Sequence, residues 1–461
     1  MQTYLINAKL ENGDRVSSIP PSDTPKYGVS LKTTLSLRPM ETPGSIAFHT
    51  LGCKLNFSET STLARMAERD GFSRRSFEQQ ADIYVINTCS VTENADKECR
   101  QLVRRIRRRS PDSFVVITGC YAQLQPESIA AMEGVDLVLG AAAKFNLTEH
   151  LKDLSRTGAA RICSCDIDTV QDFQPAFSQL DRTRTFLKVQ DGCDYSCTFC
   201  TIPMARGRSR SQTIPLVLDQ VEQLAKQGIR EIVLTGVNLG DFGINAEGKR
   251  TSHFAELVKA LDRQGAVPRF RISSIEPNLL HPEIIETVAA SNCFMPHFHV
   301  PLQSGSNTIL ASMRRRYRRE LYAERAELIM KMMPDAAIGA DVIVGYPGEN
   351  DVAFQETVSF LQDLPISYLH VFTYSERENT PAAALKEVVP VAERNLRNKA
   401  LRHLSYRKHQ LFQAKFSGTA RNVLWEDHDK EGMMEGYTDN YIRVKTPYRS
   451  EWANQIMDWQ L

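Results

Sequence analysis

No apolar run in this chain approaches the roughly 18 residues that a membrane span requires. Its opening, MQTYLINAKLENGDRV, lacks a basic stretch followed by an apolar core, so a secretory signal is not expected. Cysteine is scarce, ten in 461 residues, which excludes a disulfide scaffold. An excess of charge is missing too: the formal net charge is +1, so the whole-molecule balance points to no polyanionic partner. The expectation is a soluble cytoplasmic protein with reduced thiols and no membrane contact. What remains is an ordinary globular composition, 42% apolar and 24% charged. The length suggests about two to four domains, each able to bury a core.

Against that scarcity, three cysteines stand together. Cys193, Cys197 and Cys200 form a C-x3-C-x2-C run in DGCDYSCTFC, with no fourth cysteine close by. A cubane iron–sulfur cluster takes four thiolates, so three leave one iron open. Open positions on a metal are where substrates bind. A zinc site and a set of buried structural thiols are the competing readings. Zinc would want a fourth Cys or His at finger-like spacing, which the following TIPMARGRSRS does not offer.

The rest of the chain falls into five stretches. Residues 1–44, rich in Pro, Ser and Thr without a sustained period, read as a flexible N-terminal extension. Over residues 45–150 the apolar runs SIAFHTLGC, ADIYVINTC, SFVVITGC and VDLVLG alternate with helical patterns at Glu59 to Asp70 and Ala95 to Arg109. Such alternation predicts a small parallel α/β domain, whose ligands gather beyond the carboxyl ends of the strands. Residues 151–180, with Cys163 and Cys165, read as a linker. From 181 to 409 six more runs, TFLKVQ, EIVLTG, FRISSI, HFHVPL, IGADVIVG and YLHVFTY, are separated by helical patterns such as Ile214 to Gly228, Leu279 to Ala290 and Asn307 to Met332. Six strand–helix units fit an open, partial (β/α)6 barrel with its functional residues at the strand ends. Residues 410–461 carry short β-like runs broken by Gly, Asp and Asn, and read as a small β-barrel that either binds RNA or caps the enzyme. The overall class is therefore α/β.

Two further constellations are visible. Cys53, Cys89 and Cys120 each fall just after a predicted strand of the first domain, and parallel strand ends converge on one edge. They read either as three ligands of a second cluster or as small buried hydrophobes. Arginines crowd Arg100 to Arg109 and Arg314 to Arg319 with almost no interleaved acid. A phosphate backbone would neutralise them, and a solvated, ion-paired helix face is the alternative.

Taken in order, HTLGCKLNFSE, VINTCSVTENAD, ITGCYAQ, VQDGCDYSCTFCTIPMARGRSRS, EIVLTGVNLGDFG, RISSIEP, HVPLQSGS, VIVGYPGE and TYSERENTPA resemble the radical S-adenosylmethionine (SAM) methylthiotransferases. CTFCTIPMARGRSRS and GYTDNYIRV look most like the branch acting on N6-threonylcarbamoyladenosine next to the anticodon of tRNA. The resemblance implies two 4Fe–4S clusters, one on Cys193, Cys197 and Cys200 that cleaves SAM, and an auxiliary one on Cys53, Cys89 and Cys120. It implies SAM contacts at Gly236, Asn238, Ser274, Glu276 and Gln303. A turn glycine or a capping polar residue is the plain reading of each. The implied reaction uses one SAM to methylate a sulfur on the auxiliary cluster and another to generate the radical that opens C2 of the adenine to substitution.

The implied partners are the tRNA anticodon loop, an electron donor of flavodoxin or ferredoxin type, and a sulfur donor. A terminal barrel of the TRAM type is implied as well, with further strands expected after NQIMDWQL to close it. The chain departs from the wider superfamily in lacking Gly-Gly-Glu at the second barrel strand. Other family members modify isopentenyladenosine in tRNA or an aspartate of a ribosomal protein, and a non-catalytic iron–sulfur RNA-binding protein is the reading from another class.

Overall fold

The computed structural model describes residues 44–89, 93–152, 159–179, 182–245 and 247–461. The expected N-terminal extension lies outside the described residues apart from Gly44.

β-branched and aromatic runs form the N-terminal strands because they pack well on a pleated surface. They are β1 (Ser45–Thr50), β2 (Ser73–Arg75), β3 (Ile83–Thr88), β4 (Phe114–Gly119), β5 (Leu137–Leu139) and β6 (Arg161–Cys163), in the spatial order β2-β1-β3-β4-β5-β6. Every pairing is parallel. The helices α1 (Lys54–Arg69), α2 (Glu93–Arg109), α3 (Cys120–Leu124), α4 (Pro126–Ala130) and α5 (Leu147–Lys152) complete this unit. β3 and β4 are buried along their whole length, as continuous apolar strands covered on both faces should be. β6 extends the sheet into the stretch expected to be linker, with Cys163 paired to Leu139.

A two-residue strand, β7 (Ala176–Phe177), runs antiparallel to β8 (Thr185–Lys188). The short strands β9 (Gln190–Asp191) and β10 (Arg210–Ser211) flank the cysteine triplet and pair with each other. The remaining expected runs are β11 (Glu231–Thr235), β12 (Arg269–Ile272), β13 (His297–His299), β14 (Ala337–Val344) and β15 (Tyr368–Thr373). β8, β11 and β12 pair in parallel, as do β13, β14 and β15. Bridges Phe270↔Phe294 and Ser274↔His299 join the two groups, so six parallel strands follow one another in sequence order.

Between them lie α6 (Ile202–Arg206), α7 (Ile214–Lys226), α8 (Phe254–Gln264), α9 (Pro282–Ala290), α10 (Asn307–Ser312), α11 (Arg319–Met332) and α12 (Asp351–Asp363). The single helix expected from Asn307 to Met332 is two. Arg314 sits in the left-handed region at φ 54° and Arg318 is extended, which breaks the helical ladder. Ile232, Leu234, Phe270, Ile272, Phe298, Ile338 and Val342 belong to one apolar core shared with these helices. By the period of two, the alternate residues Val233, Arg271, His297, His299 and Asp341 point to the opposite face.

α13 (Val391–Ala414) runs through residue 410 and leads into β16 (Ala420–Trp425), β17 (Met433–Thr438), β18 (Arg443–Pro447) and β19 (Ile456–Gln460). These form an antiparallel sheet in the order β18-β17-β16-β19, packed on Val423, Trp425 and Met434. It docks at the amino end of β12: Arg269 donates to the carbonyls of Asn422 and Tyr437, and Arg271 to those of Thr438 and Asp439. Among the described residues no helix is long and apolar enough to cross a membrane.

Candidate active site

Three adjacent parallel strands carry the first cysteine trio. β1, β3 and β4 are neighbours with Thr50 opposite Asn87 and Thr88 opposite Gly119. Cys53 caps the start of α1, Cys89 follows β3 directly, and Cys120 is the first residue of α3. All three therefore leave the same edge of the sheet. Gly52, at φ 101°, lies so close to Cys89 that a Cβ there would stand 2.8 Å from its Sγ. Burial raises the Cys120 thiol above its ordinary value, with the Arg206 guanidinium opposing and Cys53 adding to the rise.

The second trio sits in the turn after β9. Gly192, at φ 69°, permits the approach of the chain to the Arg208 carbonyl, where a Cβ would clash at 1.9 Å. Each sulfur receives one donor: the Tyr195 N–H reaches Cys193 Sγ at 3.4 Å, the Ile202 N–H reaches Cys200 Sγ at 3.4 Å, and Arg315 Nη1 reaches Cys197 Sγ at 3.1 Å. Burial pushes the Cys200 thiol up to about 12 and also raises Cys193 and Cys197. Thiols so buried ionise only beside positive charge, which a bound metal provides. Donors aimed at sulfur also suit cluster ligation, where they tune the metal. A cubane ligated by either trio is consistent with these surroundings.

Helices that border the two trios pack on each other. α3, which Cys120 opens, packs on α6, which begins two residues after Cys200. Behind this contact lies a buried ion network that sequence reasoning missed. Glu59 of α1 accepts from Lys144 Nζ at 2.6 Å, Lys188 Nζ at 3.1 Å and Arg206 Nη1 at 3.1 Å, and Asp191 accepts from Lys188 at 3.1 Å and Arg206 at 3.0 Å. Burial would raise Glu59, but Arg206, Lys144 and Lys188 outweigh it and hold the carboxyl well below its ordinary 4.5. The network locks the N-terminal sheet to the start of the six-strand row.

The residues expected around SAM occupy the carboxyl ends of that row. Gly236 follows β11, and a Cβ there would meet Gln190 Oε1 at 2.8 Å. The Asn238 N–H donates to the same Gln190 oxygen at 2.9 Å, while its Oδ1 accepts from the Glu276 N–H at 3.4 Å. The Ser274 carbonyl accepts from Leu239 N–H. Gln303 holds a left-handed φ of 67° and bridges Val342, a strained backbone of the kind that clusters at functional sites. Glu276 pairs with Arg315, whose side chain is only 3% exposed.

Arg315 therefore departs from the nucleic-acid reading of its run: it turns inward to a cysteine and a carboxylate instead of outward to a phosphate. In the other run, Arg107 donates to Asp136 at 2.5 Å and to the Gly134 and Ser113 carbonyls, and Arg105 and Arg109 pair with Glu78. Arg100, Arg104, Arg108, Arg314, Arg316 and Arg318 remain exposed.

A cavity of about 350 Å3 opens beside Cys53 and Lys54 and reaches Arg271, His297, Tyr437 and Tyr441. On the neighbouring strands β13 to β15, His299 Nε2 lies 2.8 Å from Asp341 Oδ1, with His370 beside them. Lys54 directly follows Cys53 in sequence, which is the only signal that could have marked it.

Residues 45–140 match the uncharacterized protein family UPF0004, and residues 187–361 match the radical SAM superfamily. The chain is 41% identical over 413 residues to the threonylcarbamoyladenosine tRNA methylthiotransferase MtaB of Bacillus subtilis, covering 87% of this chain and 90% of that protein. It is 38% identical to the protein of the same name from Aquifex aeolicus, covering 87% and 96%. It is 30% identical to the tRNA-2-methylthio-N(6)-dimethylallyladenosine synthase of Staphylococcus epidermidis, covering 87% and 80%. Among solved structures, the radical SAM methyltransferase TsrM of Kitasatospora setae shares the fold at a TM-score of 0.54 and 16% identity, covering 74% of this chain and 77% of that one.

Proposed function

The chain belongs to the radical SAM methylthiotransferase family and is an enzyme of that class, and on that premise we propose that it methylthiolates C2 of N6-threonylcarbamoyladenosine next to the anticodon of tRNA. The observation that carries this reading is the packing of α3 on α6, which brings the cysteine that opens one helix near the triplet that precedes the other. The names of the Bacillus subtilis and Aquifex aeolicus relatives support the substrate.

In this reading Cys193, Cys197 and Cys200 hold one 4Fe–4S cluster, and Cys53, Cys89 and Cys120 hold the other. Clusters so held would supply the electron for SAM cleavage and the sulfur for transfer. An aromatic ring carbon offers no acid or base handle, so the protein's own residues act by positioning and by excluding water. Gly236, Asn238, Ser274, Glu276 and Gln303 would receive SAM at the strand ends. Arg315 fixes Glu276 and Cys197 together. Phe57, Phe186, Tyr437 and Tyr441 give the cavity beside Cys53 aromatic faces on which a base can stack. The target base would be splayed out of its loop, which single strands permit at modest cost. A flavodoxin- or ferredoxin-type protein would deliver the electrons, and an external sulfur donor would replenish the transferred atom.

The test is to incubate anaerobically reconstituted protein with SAM, reductant and tRNA carrying threonylcarbamoyladenosine. Appearance of the 2-methylthio nucleoside by mass spectrometry is the expected result. Product only on isopentenylated tRNA or on a ribosomal protein would reassign the substrate. Absence of 5′-deoxyadenosine release altogether would end the radical reading.

A further inference from the structure

The cavity beside Cys53 has an unusual electrical balance. Lys54, Arg182, Arg184 and Arg271 are on its wall, and none of its described lining residues is an Asp or Glu. Two of these cations are already matched: Arg184 donates to Glu426 at 2.8 Å and Arg271 to Glu231 at 2.8 Å. Arg182 lies over the Phe57 ring at 4.8 Å. Among the described residues, Lys54 makes no hydrogen bond or ion pair. Its strongest electrostatic partner is the Tyr441 phenol, and Asp341, the carboxylate within its reach, is engaged by His299.

The field in the cavity is correspondingly positive. Burial alone would raise the Tyr441 phenol, yet Lys54, Arg184 and Arg271 outweigh it and hold the group below its ordinary value. Burial, reinforced by Arg271 and Lys54, keeps His297 far below its ordinary value and hence neutral. Its Nε2 meets the Tyr368 hydroxyl at 2.8 Å, while its Nδ1 is buried without a hydrogen-bond partner among the described residues. A lysine with no hydrogen-bond partner among the described residues, lining a cavity with no carboxylate among its described lining residues, is a costly arrangement unless a ligand completes it.

We propose that Lys54 binds the carboxylate of the threonyl group on the substrate base, so that this cavity reads the amino-acid substituent of the nucleoside. The proposal rests on the function stated above and names the part of the substrate that the site selects. In an adenine, C2 and the substituted N6 are separated only by N1 and C6. A base with C2 at the sulfur held near Cys53 thus carries its N6 group into the adjoining space. About 350 Å3 is ample for that group and falls in the range of small-molecule sites. An apolar dimethylallyl group would instead strip water from Lys54 without replacing it, which selects against such a base.

Equilibrium binding on the reconstituted full-length protein tests this, with a fluorescent anticodon stem-loop carrying threonylcarbamoyladenosine or its methyl ester. The two RNAs differ by one charge among many phosphates, so general electrostatics is held constant. Wild type should bind the acid roughly 10- to 100-fold more tightly than the ester, as expected of a charge-assisted hydrogen bond. Lys54→Met should bring that ratio close to one, and Lys54→Arg should retain most of it. Equal binding of acid and ester by wild type would overturn the proposal even if the variants proved unstable. So would an undiminished ratio in Lys54→Met, and an ester-insensitive protein in which Lys54→Met slows only sulfide-dependent turnover would assign the lysine to an inorganic sulfur anion. Failure of the function itself would be read separately, as no methylthiolated nucleoside from wild type.

Discussion

The guanidinium of Arg315 reaches Cys197 Sγ at 3.1 Å while it pairs with the Glu276 carboxylate, and so joins a candidate cluster ligand to a candidate SAM contact. A cation at a ligating sulfur stabilises the more negative, reduced state of a cluster. Arg315→Met should therefore shift the reduction potential of the SAM-cleaving centre to a more negative value and slow 5′-deoxyadenosine release about tenfold or more, the scale of one charged hydrogen bond. Glu276→Gln should shift the potential the other way. Potentiometric titration followed by electron paramagnetic resonance measures both, and identical potentials in the two variants would separate Arg315 from the cluster.

Ligand assignment is open to counting. Replacing Cys53, Cys89 and Cys120 together by Ala should lower the iron content of reconstituted protein from roughly eight to roughly four per chain, with SAM cleavage retained. Replacing Cys193, Cys197 and Cys200 should give the same iron count and no 5′-deoxyadenosine. Iron analysis alongside product chromatography distinguishes the two cases.

The Glu59 network should make stability sensitive to acid. Its carboxyl is held far below the ordinary 4.5, and that of Asp191 well below 3.8, because neighbouring Lys and Arg charges outweigh burial. A depressed folded-state value means stability present above the ordinary value and lost as pH falls below it. Unfolding free energy should be flat with respect to these groups above about pH 5 and should decline progressively below it. Glu59→Gln should remove part of that acid slope and cost about 3–5 kcal/mol at neutral pH, since Lys144, Lys188 and Arg206 lose a buried partner. Denaturant titrations at several pH values give both numbers.

Exposed arginines remain candidates for the RNA. Arg314 and Arg316 face outward, the latter over the Tyr195 ring at 4.0 Å and bonded to the Asp194 carbonyl. Arg314→Glu with Arg316→Glu should weaken tRNA binding and reduce the slope of log K against log salt by about 1 to 2. An unchanged slope would mark these charges as merely solvated.

Much of this architecture was readable from the chain. Runs such as IYVINT and FVVITG, apolar over their first four residues and followed by a cysteine, read as buried parallel strands with their ends at one edge. Strands such as SRR and RIC escaped notice because they are short and exposed, and their existence depends on a neighbour's hydrogen bonds. Likewise, the helical pattern from Asn307 to Met332 conceals a break at Arg314 to Arg318, where the chain leaves the helix to bring Arg315 to Cys197.

The sequence alone determined which residue types could hold metal and in what order strands and helices would alternate, since spacing and periodicity are properties of the chain. Only the folded structure decided that Glu59 meets Lys144, Lys188 and Arg206, and that α3 rests on α6. It alone put Lys54, without a hydrogen-bond partner among the described residues, in a cavity lined by three arginines. Charge is written locally, but whether it is neutralised depends on which distant groups the packing brings within a few ångströms.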